Sequence, residues 1–208
     1  MRKQKILFHI KGGTEWMGGL HYIKNLIKAV RLYNPLQATE IEVGLFVYSK
    51  EQVALFNDVK QDIAKIHVHE ELLAAAGVAA RAAWWAKRKF SSNVMNPLLD
   101  ELIRKERYDF AYPCLPRKDF KYYRFAEWIP DFQYRHFPEG SNEEEIKGRK
   151  EQFEMICRNS PLVYLSSEHA RKDCEELFAF SKPKLRVMQF CVYTEAKTFA
   201  APLKEVLA

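Results

Sequence analysis

Residues 5–33 read KILFHIKGGTEWMGGLHYIKNLIKAVRLY, and the order of features within them decides the fold. The apolar run 5–10 is short, stops at Gly12-Gly13, and has the length of a buried strand rather than a helix. From Leu20 onward Ile23, Leu26, Ile27, Val30 and Tyr33 recur at i, i+3, i+4 spacing, which predicts a helix ending before Asn34-Pro35. A buried strand, a glycine turn and an amphipathic helix in succession form the first half of a parallel crossover unit.

The same rhythm continues outward from this unit. Strands are expected at 41–48, 63–68, 108–112, 125–129, 162–165 and 185–190, with helices at 52–59, 70–90, 97–105, 143–157 and from Ser166 or Ser167 to about Phe178. Short strands alternating with helices predict an α/β protein: a Rossmann-like, open, mainly parallel sheet with helices on both faces. The length fits one domain, 1–193, followed by a linker at 194–208.

Composition narrows the function classes. With 48% hydrophobic and 29% charged residues, the chain can build a core, so disordered and collagen-like classes are excluded. No apolar run approaches the roughly 18 residues of a membrane span, and no signal peptide is evident. Cys114, Cys157, Cys174 and Cys191 contain no C-x-x-C pair, which fits reduced thiols and a cytoplasmic setting. The net charge of +6 favours an anionic partner: a phosphate-bearing substrate, an acidic membrane surface or nucleic acid.

Three constellations could carry chemistry. Gly12, Gly13, Gly18 and Gly19, with Trp16 among them, lie between strand and helix, where backbone N–H groups can cradle a diphosphate. This is neither the G-x-G-x-x-G fingerprint nor a P-loop, and a tight strand-to-helix turn alone also favours glycine. Residues 128–138, WIPDFQYRHFP, follow a strand and set Asp131, Gln133, Arg135 and His136 among bulky apolar side chains, as in a ligand loop at a carboxyl strand end. A solvated loop pinned by Trp128, Phe132 and Phe137 would read the same way. On the helix 70–90, Arg81, Trp84, Trp85 and Arg88 share one face, and no acidic residue occurs from Leu72 to Leu99. That face suits an anionic membrane surface, single-stranded nucleic acid, or a core helix with a basic edge. His67-x-His69 lacks a nearby third ligand and reads as structural.

Taken together, the segments resemble bacterial group 1 glycosyltransferases. Gly12-Gly13, Trp16, Gly18-Gly19, Tyr22, Asn25-Leu26 and Ala29 are similar to the family's opening G-G turn and W-x-G-G-x-x-Y-x-x-N-L helix. The WIPDFQ segment with Phe137-Pro138-Glu139 resembles its W-I-P-D-F-Q-H-x-x-L-P-E stretch, and Arg149, Val163 to Ser167, Ala170 and Asp173 resemble its R…V-I-x-S-S-x-x-A-x-x-D pattern. The family often has His after the Gln; here that position is Tyr134, and His136 lies two residues on.

The resemblance implies the N-terminal, acceptor-side half of the two-domain GT-B fold, with the linker leading toward a donor-binding C-terminal domain outside these residues. It implies a retaining, hexosyltransferase-type enzyme that moves a sugar from a nucleotide-sugar donor to a cell-surface polysaccharide or lipid-linked acceptor. Little transfer is expected from this domain alone. His136 and Asp131 are the expected catalytic residues, and Gly12, Gly13, Gly18 and Gly19 border the donor diphosphate. Trp16, Gln133, Tyr134 and Arg135 border the acceptor, while Arg81, Trp84, Trp85 and Arg88 contact the inner face of the membrane. Neither metal, cofactor nor nucleic acid is expected. The alternative is a non-catalytic module of the same fold that binds anionic lipid or glycan.

Overall fold

The computed structural model describes residues 3–10, 17–34, 40–78, 81–82, 97–114 and 124–192. In the first sheet, β1 (Gln4–His9), β2 (Ile41–Val47), β3 (Lys65–Val68), β4 (Phe110–Tyr112) and β5 (Arg124–Phe125) lie in the order β3-β2-β1-β4-β5. A second sheet joins β6 (Glu127–Ile129), β7 (Val163–Leu165) and β8 (Leu185–Val187) in sequence order, and every pairing in both sheets is parallel. The helices are α1 (Met17–Tyr33), α2 (Lys50–Ala54), α3 (His69–Ala75), α4 (Pro97–Glu106), α5 (Gln133–His136), α6 (Glu143–Asn159) and α7 (Glu168–Leu177). The protein is therefore an α/β structure with a five-stranded parallel sheet, consistent with the Rossmann-like reading.

Strand alternation sends neighbouring side chains to opposite faces, and each face has its own helix. Leu7, Phe46 and Ala111 pack with Leu99, Leu102 and Ile103 of α4. Phe8, Val43, Leu45 and Tyr112 pack on the opposite face with Leu20, Tyr22, Ile23 and Ile27 of α1. Around the second sheet, Ile129, Val163, Leu165 and Leu185 meet Ile156 of α6 and Ala170 and Cys174 of α7, as the spacing of those helices leads one to expect.

The strand expected at 125–129 is a junction between the sheets. Ala126, between β5 and β6, donates its N–H to Ala111 O and accepts from Cys114 N, whereas Glu127 N turns to Leu162 O. One extended segment thus serves β4 with its first half and β7 with its second, so the two sheets run in the same direction.

Other boundaries differ from expectation for identifiable reasons. The helix placed at 52–59 begins earlier, because Gln52 Oε1 accepts the N–H groups of Tyr48 and Ser49, and it ends at Ala54. The 3-10 segment Asn57–Asp62 follows, and its three-residue turn fits Phe56 and Val59, both fully buried, onto one side. The helix placed at 70–90 is interrupted: its first part, α3, ends at Ala75, where Ala76 N bonds to Leu72 O and Gly77 takes φ +76°, and residues 77–78 and 81–82 are helical again, while 79–80 and 83–90 lie outside the described residues. The last strand ends at Val187, and Phe190 instead lies edge-on to Tyr22 and Trp128. Among the described residues, no helix is long and apolar enough to cross a membrane. The linker at 194–208 lies outside the described residues.

Two packing details generate predictions. Gly44 of β2 faces the Tyr108 ring so closely that an added Cβ would stand 2.0 Å from its hydroxyl oxygen, and that hydroxyl is hydrogen-bonded to His67 Nε2 at 2.8 Å. Gly44→Ala is expected to destabilise the fold by about 1–3 kcal/mol in denaturant titration; an unchanged midpoint would contradict this packing. Burial lowers the His67 pKa to about 4. The unfolded chain therefore binds the extra proton first, so stability falls as pH drops from about 6.5 toward about 4. His67→Gln is expected to flatten that part of the stability profile.

Candidate functional site

The chain leaves β6 at Ile129, and Pro130 prevents the strand from continuing. Asp131 Oδ1 accepts the Gln133 N–H at 3.0 Å and starts the single turn of α5, while Phe132, almost wholly buried, pins the segment to the core. Tyr134 also turns inward, against Phe132 and Phe153, leaving Gln133, Arg135 and His136 outward.

A second wall comes from the carboxyl end of β7. Ser167 caps α7 by accepting the Ala170 N–H at 3.0 Å, and Ser166 Oγ accepts from Trp128 Nε1 at 2.9 Å, tying the two strand ends together. His169 and Asp173 are four residues apart on α7 and so share one helix face. Between the walls lies an open cleft of about 570 Å³. Asp131, Gln133 and His136 line it from the β6 side, and Ser167, His169 and Asp173 from the β7 side.

Asp173 organises this cleft. Its side chain is only 8% exposed, and it receives Arg135 Nη1 on Oδ1 at 3.1 Å and His136 Nε2 on Oδ2 at 2.7 Å. Arg135 also pairs with Glu176. A carboxylate oxygen accepts, so the His136 proton sits on Nε2 and Nδ1 remains as the acceptor nitrogen of that imidazole. His169 completes the group, with Nε2 at 3.3 Å from His136 Nε2 and 3.7 Å from Asp173 Oδ2. Among the described residues, these three form a group able to offer a cation one ligand atom each, all within 4.8 Å of one another.

The expected site residues fall into distinct groups. Asp131, Gln133 and His136 come together in the cleft, whereas Arg135 reaches back to hold Asp173. Tyr134, expected at the acceptor, is a core residue: its side chain is buried and its hydroxyl has no hydrogen-bond partner among the described residues. Burial pushes that phenol's pKa up. Gly18 and Gly19 open α1; Gly19 is buried, and at Gly18 an added Cβ would meet open space. Gly12, Gly13 and Trp16 lie outside the described residues, as do Trp84, Trp85 and Arg88, while Arg81 is exposed. Of the His67-x-His69 pair, His67 bonds to Tyr108 and His69 packs against Phe46 and Tyr48.

The roles of His169 and Asp173 were not assigned from sequence. Their signal was the H-x3-D spacing one turn into a Ser-capped helix at a carboxyl strand end. His9, buried at the end of β1, is a further case. Pro113 O can only accept, so His9 donates to it from Nδ1 at 3.2 Å and accepts from the Tyr48 hydroxyl on Nε2 at 3.1 Å.

No protein-family model and no curated protein matches the chain. The geometry of Tyr134 gives a direct test: Tyr134→Phe removes a buried hydroxyl that bonds to no described residue, so thermal stability is expected to stay level or rise slightly. A loss of about 1 kcal/mol or more would mean that the hydroxyl has a partner.

Proposed function

We propose that this chain is the acceptor-side domain of a retaining glycosyltransferase that moves a sugar from a nucleotide-sugar donor to a cell-surface polysaccharide or lipid-linked acceptor. The observation that carries this reading is the meeting of Asp131, Gln133 and His136 in one open cleft, with the His136 imidazole oriented by a buried carboxylate.

The chemistry follows from the donors and acceptors present. A saccharide offers many hydroxyls, each both donor and acceptor, and Asp131 and Gln133 supply complementary groups at the cleft wall. Phe137, largely exposed at the rim, offers an apolar face for the C–H side of a sugar ring. His136, with its Nε2 proton on Asp173, can accept the incoming hydroxyl on Nδ1.

Transfer also needs the departing diphosphate stabilised while positive charge grows at the anomeric carbon. In the sequence Gly12-Gly13 precede α1, which Gly18 and Gly19 open, and N–H groups at a helix N-terminus favour anions. The helical spacing of Arg81, Trp84, Trp85 and Arg88 in the sequence supports work on a lipid-linked acceptor at the inner face of the membrane.

The test is transfer from nucleotide sugars to lipid-linked saccharides, assayed in this chain and, if the reading frame at its source continues past residue 208, in the longer product. His136→Ala or Asp131→Ala is expected to cost about a hundredfold or more in turnover. Unchanged turnover would overturn the assignment of these residues. Saccharide or anionic-lipid binding with no transfer in either form would favour the non-catalytic module.

A further inference from the structure

We propose that His136, His169 and Asp173 bind a divalent transition-metal ion of the zinc class, with one coordination position open to the cleft. This goes beyond the sugar-transfer reading and stands on these three side chains alone.

The geometry is specific. The three candidate ligand atoms, His136 Nε2, His169 Nε2 and Asp173 Oδ2, are separated by 2.7, 3.3 and 3.7 Å. In a tetrahedral site with bonds of about 2.0–2.1 Å, neighbouring ligand atoms stand about 3.3 Å apart, and each separation here lies within roughly 0.6 Å of that value. Small rotations of the two imidazoles bring all three atoms onto one ion.

The donor chemistry also fits. Two imidazoles and a carboxylate suit zinc, cobalt, nickel or ferrous iron better than calcium or magnesium, which prefer all-oxygen shells. The proton that His136 Nε2 donates to Asp173 Oδ2 is the one a metal ion would displace on binding.

The surroundings hold the set in place. His169 and Asp173 are fixed one helical turn apart on α7, and His136 is delivered by the one-turn α5. Arg135 binds Asp173 on Oδ1, the oxygen not used in the group, as supporting residues of metal-bound carboxylates do. The imidazoles are 38% and 75% exposed while Asp173 is nearly buried, so the fourth position opens toward the cleft and away from the core. Three protein ligands plus an open position is the catalytic rather than the structural zinc arrangement. An ion there would polarise a water or hydroxyl entering the cleft. Sequence spacing alone does not reveal this set, because the ligands are spread over 38 residues and two elements.

The experiment is titration of the full chain, first stripped with chelator, with zinc by calorimetry and with cobalt by visible absorption. One ion per chain is expected, with a dissociation constant of about 10 µM or tighter, and a cobalt spectrum of tetrahedral type without a thiolate charge-transfer band. His169→Ala, at an exposed position where folding is not at stake, is expected to weaken binding about tenfold or more, and His136→Ala likewise. Binding no tighter than about 1 mM, or an ion unaffected by both substitutions, would overturn the proposal. A thiolate band that survives His169→Ala would also overturn it, by assigning the ion to the exposed Cys191. Saccharide binding, read separately on the metal-free chain, fails or succeeds independently of these results.

Discussion

The Asp173 carboxylate is the interaction on which the candidate site depends. A nearly buried negative charge is unfavourable unless it is paired and hydrogen-bonded, and here both oxygens are engaged by side chains from the segment after β6. Arg135 and His136 thereby join two elements distant in sequence and set the width of the cleft between them. If Arg135 were lost, the nearly buried Asp173 carboxylate would keep only the hydrogen bond from His136. The same carboxylate fixes which nitrogen of His136 carries the proton, so structural and chemical constraints coincide in one residue.

That carboxylate can act only because the two sheets are continuous in direction. The extended segment 124–129 bonds to β4 and then to β7, so the carboxyl end of β6 is carried beside that of β7. Trp128 secures the junction. Its ring lies over Tyr22 at 4.1 Å between centroids, its indole N–H reaches Ser166, and Tyr22 in turn bonds to Tyr112. The aromatic residues that give the sequence its family-like appearance therefore serve first to weld α1, β4 and β6 into one core. Tyr134 belongs to the same class: it occupies a motif position, and its packing is that of a core residue.

Much of the fold was legible in the sequence because short apolar runs and 3.6-residue periodicity report burial directly. The strand at 41–48, α1 and the Ser-capped α7 all follow from that pattern. The division at Ala126 was not legible, since one extended run looks the same whether it serves one sheet or two. The interruption at Ala76-Gly77 was signalled by the glycine but was masked by the alanines around it, which favour helix on both sides. In the site, Asp131, Gln133 and His136 could be found because polar residues stood among bulky apolar ones. His169 and Asp173 could not be assigned roles, because helix 168–177 carries many charged residues and only tertiary packing distinguishes the buried carboxylate from its solvated neighbours.

The central claim is that the cleft organised by Asp173 receives a saccharide. The most direct measurement follows the imidazole nitrogen resonances of the six histidines while the chain is titrated with a panel of cell-surface oligosaccharides and lipid-linked saccharides. The account requires a saturable shift at His136 and His169, with His9 and His67 unmoved in their buried hydrogen bonds. Saturable saccharide binding that leaves His136 and His169 unshifted would place the ligand elsewhere and contradict it.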